Sequence, residues 1–97
     1  MRYTALADDD ARALPQLASW TVANGNISKE FAVGEFANIP DFVREVVAIA
    51  DRLDHHPDID IRYPDRVIVR VSTHAIGGLS MHDVDLATMI DALMSRP

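Results

Sequence analysis

The 97-residue sequence contains no cysteine. That excludes a disulfide framework, a thiolate-ligated zinc site and a cysteine nucleophile. Positive charge is also scarce: 9 Lys and Arg stand against 15 Asp and Glu, for a formal net charge of −6 and a pI near 4.9. A protein that grips a phosphate backbone normally presents a net basic face, so direct nucleic-acid binding is not expected. No apolar run approaches the ~18 residues of a membrane-crossing helix. The opening Met1-Arg2-Tyr3-Thr4 lacks the apolar core of a signal peptide, so no membrane association is expected and the protein reads as cytoplasmic. What is present, 48% hydrophobic and 25% charged residues, is the composition of an ordered globular chain. The length leaves room for one hydrophobic core, which predicts a single domain over residues 1–97.

Hydrophobic spacing and turn residues divide the chain into seven elements. A first helix is expected over Leu6 to Ser19, its start marked by Asp8-Asp9-Asp10 at the positive end of the helix dipole, with a kink or restart at Pro15. Trp20-Thr21-Val22 then runs into Asn24-Gly25-Asn26, a strong hairpin signal, and Ile27, Lys29, Phe31 and Val33 alternate with Ser28, Glu30 and Ala32 until Gly34. Asn38 is a candidate cap for a long helix with Pro40 in its first turn and Phe42, Val46, Ile49, Ala50 and Leu53 on one stripe. Pro57 requires that helix to stop just after Asp54. Ile59, Ile61 and Tyr63 alternate in a third strand, Pro64-Asp65 turns the chain, and Val67, Val69 and Val71 alternate in a fourth that runs to Ser72. Residues 75 to 78 read as a loop. Ser80 and Asp83 have capping-box spacing ahead of a last helix carrying Val84, Leu86, Ile90 and Leu93. The expected fold is therefore α+β, in the order α-β-β-α-β-β-α, with a four-stranded antiparallel sheet and its helices packed on one face.

The 4 histidines, His55, His56, His74 and His82, all fall in the second half of the chain. Imidazole gives or takes a proton near neutrality, and element ends are where rigid scaffolds present such groups. Three arrangements fit the spacing. His55-His56 could cap the C-terminus of the long helix. His55 and His74 with Asp51 or Asp54 could bind a metal, although no H-x-H or H-x-x-x-H pair is present and no metal is expected. Or the histidines and carboxylates could form a metal-free acid–base site, with the carboxylates orienting the imidazoles. Spacing alone does not choose between the first and the third.

Asp51-Arg52-Leu53-Asp54-His55-His56-Pro57, followed by Tyr63, Ser72-Thr73-His74, Gly78-Leu79-Ser80 and Asp83, resembles the signature of the pterin-4a-carbinolamine dehydratases. The likeness extends to Leu14-Pro15, Trp20 and Ile27-Ser28-Lys29-Glu30-Phe31. It implies the same fold, assembled as a homodimer or homotetramer, with Val67, Ile68 and Val69 helping to continue or cover a sheet between subunits. The implied reaction is removal of water from a 4a-hydroxytetrahydropterin to give a quinonoid dihydropterin, in tetrahydrobiopterin recycling, with no cofactor. An aromatic amino-acid hydroxylase would then be the functional partner. In this resemblance His55 and His74 are the acid–base pair, His56 holds the pterin, and Asp51, where many members have glutamate, orients a histidine or binds the substrate edge. Asp54, Pro57, Ser72, Thr73 and Asp83 are implied as substrate-binding. Asp83 reads equally well as the helix-cap partner of Ser80. Some relatives double as dimerisation cofactors or assist the assembly of other proteins, so the alternative is a non-catalytic module acting as a dimerisation or assembly cofactor; catalytically dead relatives usually lose these histidines, which this chain keeps.

Overall fold

The computed structural model describes residues 3–95. In chain order these form α1 (Asp8–Arg12), β1 (Thr21–Ala23), β2 (Asn26–Ala32), α2 (Ile39–Leu53), β3 (Asp58–Arg62), β4 (Arg66–Val71) and α3 (Met81–Met94). Short 3-10 turns occur at Pro15–Leu17, Phe36–Asn38 and His74–Ile76. The four strands make one antiparallel sheet in the order β1-β2-β4-β3. The α+β order read from the sequence is the observed one.

One face of the sheet carries the core. Ile27 and Phe31 of β2 and Val67, Val69 and Val71 of β4 pack with Phe42, Val46 and Ile49 of α2 and Val84, Leu86 and Ile90 of α3. Fully burying a side chain of this kind is worth about 1.5–3 kcal/mol, so the aliphatic ladder on β4 is a main source of stability. Because β4 is an inner strand, Val67 and Val69 belong wholly to their own subunit's core. That corrects the expectation that they continue or cover a sheet across subunits; of the three residues named for that role, only Ile68 lies on the opposite, open face. The open face is polar, with Thr21, Ser28, Glu30, Arg66 and Arg70 among its residues.

Several local expectations change. The first helix is much shorter than Leu6–Ser19 and restarts at Pro15 as a single 3-10 turn. Leu6 instead bridges to Leu79, its N–H donating to the Leu79 carbonyl at 2.7 Å. Asp8 does not cap α1; its carboxylate accepts from the Gly25 N–H at 3.1 Å. Asn38 likewise donates its side-chain amide to the Val33 carbonyl and caps nothing. β4 ends at Val71, short of Ser72. The largest difference is at β3: Ile61 is 51% and Tyr63 85% exposed. β3 ends at Arg62, so Tyr63, expected on the strand, lies in the turn beyond it, while Ile61 sits on an edge strand whose inward face the helices do not fully cover.

The β1–β2 turn touches the loop that follows β4. Gly25 has φ +74°, and a Cβ there would lie 3.2 Å from Gly78 Cα and 3.3 Å from the Gly77 carbonyl oxygen. Both the backbone conformation and the close approach call for glycine. A Gly25→Ala substitution should lower stability by about 1–3 kcal/mol, read as a shift in denaturation midpoint, because it strains the turn and pushes on the loop together.

Candidate active site

Three chain segments meet at one end of the sheet. α2 stops where Asp54 adopts a left-handed conformation, φ 50° and ψ 44°, and the His55 N–H closes on the Ala50 carbonyl at 3.0 Å. Short polar side chains tolerate that region, which is why the break falls on an aspartate before Pro57. The break sends the adjacent histidines opposite ways. His55 turns inward and is 7% exposed; His56 turns outward to Asp51, Nε2 to Oδ1 3.0 Å, as an exposed pair. Neither imidazole caps α2, since backbone groups close that end.

Behind His55 lies a closed polar network. Asp83 is 0% exposed, and its Oδ1 is 2.6 Å from His55 Nε2. Its Oδ2 accepts from the Thr73 hydroxyl at 2.8 Å and from the Ser80 N–H at 2.9 Å. The Thr73 proton being committed to Asp83, the Ser80 hydroxyl donates to Thr73 Oγ1 at 2.7 Å and accepts from the His82 N–H at 3.3 Å. A carboxylate already serving two donors acts as acceptor toward the third as well, so His55 holds its proton on Nε2. Nδ1 is then the nitrogen left to meet a ligand. The capping box of α3 is formed by the same Ser80 and Asp83, so one aspartate both starts the helix and fixes the imidazole.

His74 reaches the site by another route. The Thr73 N–H donates to the Gly78 carbonyl at 2.8 Å, folding residues 73 to 78 into a small closed loop containing the His74–Ile76 turn. His74 is exposed at its rim. The segment expected as a plain loop is therefore a pinned turn.

These segments enclose an open pocket of about 320 Å³, lined by His55, His56 and His74 together with Asp54, Pro57, Ser72 and Thr73. Two residues singled out from the sequence stand elsewhere. Asp51 is not on the lining and reaches the site through His56. Asp83 lies behind His55, with both oxygens engaged inside the protein, and presents nothing to the pocket. Tyr3 and Asp58 also line the pocket, and the sequence carried no signal for either. His82, counted but given no role, stacks near His55 at 5.9 Å between ring centroids and meets Tyr3 edge-on at 4.8 Å. Among the described residues, no group of three or more histidine or carboxylate side chains is placed to share a metal ion. Nor, among them, is any helix long and apolar enough to cross a membrane.

The fold and pocket define a small α+β domain presenting three histidines at a sheet end. The family model described as pterin 4 alpha carbinolamine dehydratase matches residues 4–93, and the chain belongs to that family. A Herpetosiphon aurantiacus protein provisionally named a pterin-4-alpha-carbinolamine dehydratase is 40% identical over 84 residues, spanning 87% of this chain and 86% of its own. A crystal structure of a transcriptional coactivator/pterin dehydratase from Brucella melitensis superposes with a TM-score of 0.78 at 25% identity, over 93% of this chain and 98% of that one. A pterin dehydratase-like RuBisCO assembly factor of the alpha-carboxysome shares the fold, with a TM-score of 0.64 at 19% identity over 80% of this chain and 89% of that one.

Proposed function

We propose that the chain is a 4a-hydroxytetrahydropterin dehydratase acting through histidine acid–base chemistry in the pocket of His55, His56 and His74. One observation carries the reading: the three histidines line a single open pocket, with Asp83 buried behind one of them, in a chain of this family. The reaction breaks the C4a–O bond and forms a C4a–N5 double bond. One group must protonate the departing hydroxyl, which leaves as water, and another must accept the N5 proton. His55, with its proton held on Nε2 by Asp83, offers the Nδ1 lone pair and is the base. His74, exposed at the rim where it can hand a proton to the departing hydroxyl, is the acid. His56, braced by Asp51, holds the pterin, and Asp54, Pro57, Ser72 and Thr73 complete its seat. Proton exchange with water resets both histidines, so the cycle needs no cofactor. The physiological context would be tetrahydropterin recycling beside a hydroxylase, in the cytoplasm.

The unpaired edge strand β3 supports self-association. Ile61 on it and Tyr63 just beyond its end, with Phe36 packed 6.0 Å from the Tyr63 ring, expose apolar surface that a second copy of the chain would cover, giving the homodimer or homotetramer. The same surface would serve the alternative role of a non-catalytic assembly module. A titration with a non-reacting dihydropterin analogue, followed through the imidazole nitrogens by NMR, locates the substrate. The expected result is that His55 Nδ1 and His74 shift together; saturable binding that leaves both unmoved would contradict the site.

A further inference from the structure

The open face of the sheet carries a second basin directly beside the histidine pocket. It is lined by Thr21, Asn24, Asn26, Ser28 and Arg70, together with Ala23, and no carboxylate is among its walls. Thr21, Ser28 and Arg70 stand in one cross-strand row, since Thr21 pairs with Ser28 and Ser28 with Arg70.

The arginines on this face differ in how they are satisfied. Arg66 pairs with Glu30 at 2.8 Å and with Asp65 at 3.1 Å, and the hydrogen bond to Glu30 and then that to Asp65 raise its pKa further. Arg62 sits 3.8 Å from Asp60. Arg70 makes no ion pair among the described residues, not even with Asp58, its register partner on β3. In a chain of net charge −6, a guanidinium without an ion-pair partner, set among two hydroxyls and two amides, is a donor-rich surface with no carboxylate in its walls. Guanidinium has N–H donors and no acceptor, and its planar fork matches carboxylate and phosphate oxygens.

The basin's position says which anion can use it. Ser72 lies one residue past the end of β4, two residues on from Arg70 and about 7 Å along the chain, and the burial alternation that continues through Val71, Ser72 and Thr73 keeps it on the side of Arg70. Ser72 and Asp58, the two neighbours of Arg70 along and across the sheet, both line the histidine pocket. A ring seated at His55 and His74 would therefore send a substituent along the sheet surface to Arg70.

We infer that Arg70, with Thr21, Asn26 and Ser28, forms a subsite for an anionic tail on the pterin, so that the preferred substrates carry a phosphate or carboxylate on the side chain of the ring. This rests on the proposed pterin pocket. The test compares 7,8-dihydroneopterin with its 3′-phosphate, and a dihydropterin with its glutamyl-tailed counterpart, by calorimetry at low salt on wild type and Arg70→Gln. At least one anionic ligand should bind about tenfold tighter than its neutral partner, and that ratio should fall close to one in Arg70→Gln and shrink with added salt. Whichever pair shows the gain identifies phosphate or carboxylate as the tail. Equal binding of neutral and anionic ligands to wild type, or a ratio that survives the substitution, overturns the subsite while leaving the histidine pocket standing. Failure of every dihydropterin to bind overturns the pocket reading and the subsite with it.

Discussion

An Asp83→Ala chain loses about 3–5 kcal/mol of folding stability, because the substitution removes the acceptor of a buried, hydrogen-bonded imidazole and strands other donors with it. His55 Nε2, the Thr73 hydroxyl and the Ser80 N–H all end on this one carboxylate, and the capping box of α3 goes with it. In a domain of this size that is a fall of roughly 12 °C or more in Tm, read by thermal denaturation. Asp83→Asn separates structure from chemistry. Two donors meet Oδ2 and one meets Oδ1, so the amide keeps its oxygen toward Thr73 and Ser80 and turns its N–H toward His55. That forces the His55 proton onto Nδ1. The variant should lose far less stability than Asp83→Ala yet drop in turnover by about 10²–10⁴-fold, with the inverted tautomer visible in imidazole nitrogen shifts. Wild-type turnover in a folded Asp83→Asn protein would refute the assignment of Nδ1 as base.

The second large effect is at the histidines themselves. His55→Gln and His74→Gln should each reduce kcat by about 10²–10⁴-fold, and the double variant should fall well short of the product of the two losses, since acid and base act as a unit. Stability distinguishes the pair. His74 is exposed with no side-chain hydrogen bond to any described residue, so its replacement leaves Tm nearly unchanged. His55 is a buried partner of Asp83, so its replacement lowers Tm as well as kcat.

Much of the fold was legible because its signals are local. Asn24-Gly25 marks the first hairpin, Pro40 and Pro57 bracket α2, and Ser80 with Asp83 announces α3. The fate of β3 was not legible, since alternation reports which residues share a face but not whether a helix covers that face. Ile59 and Ile61 obey the same period, yet only the first is half-buried. The short α1 was hidden for a related reason: Leu6 looks like a helix position until Leu79, far along the chain, supplies its bridge partner.

The site shows the same division. The clustering of His55, His56 and His74 was readable as a motif, and the structure brings all three to one pocket. Asp83 has both cap spacing and a place in the motif, and the sequence alone leaves these as alternatives. The structure merges them: its three-residue spacing from Ser80 is local, while its bond to His55 spans 28 positions and no periodicity encodes that. Tyr3, Asp58 and Arg70 had no motif at all, because what matters in them is which strand end or sheet row they share.

Dehydration of a 4a-hydroxytetrahydropterin in the histidine pocket is the proposal on which the rest depends. The most direct measurement is the rate of quinonoid dihydropterin formation from a synthetic carbinolamine at neutral pH, for wild type and for a folded His55→Ala, His74→Ala double variant. Wild type should accelerate the reaction strongly over buffer, and the double variant almost not at all. Equal rates with wild type, double variant and buffer would contradict it.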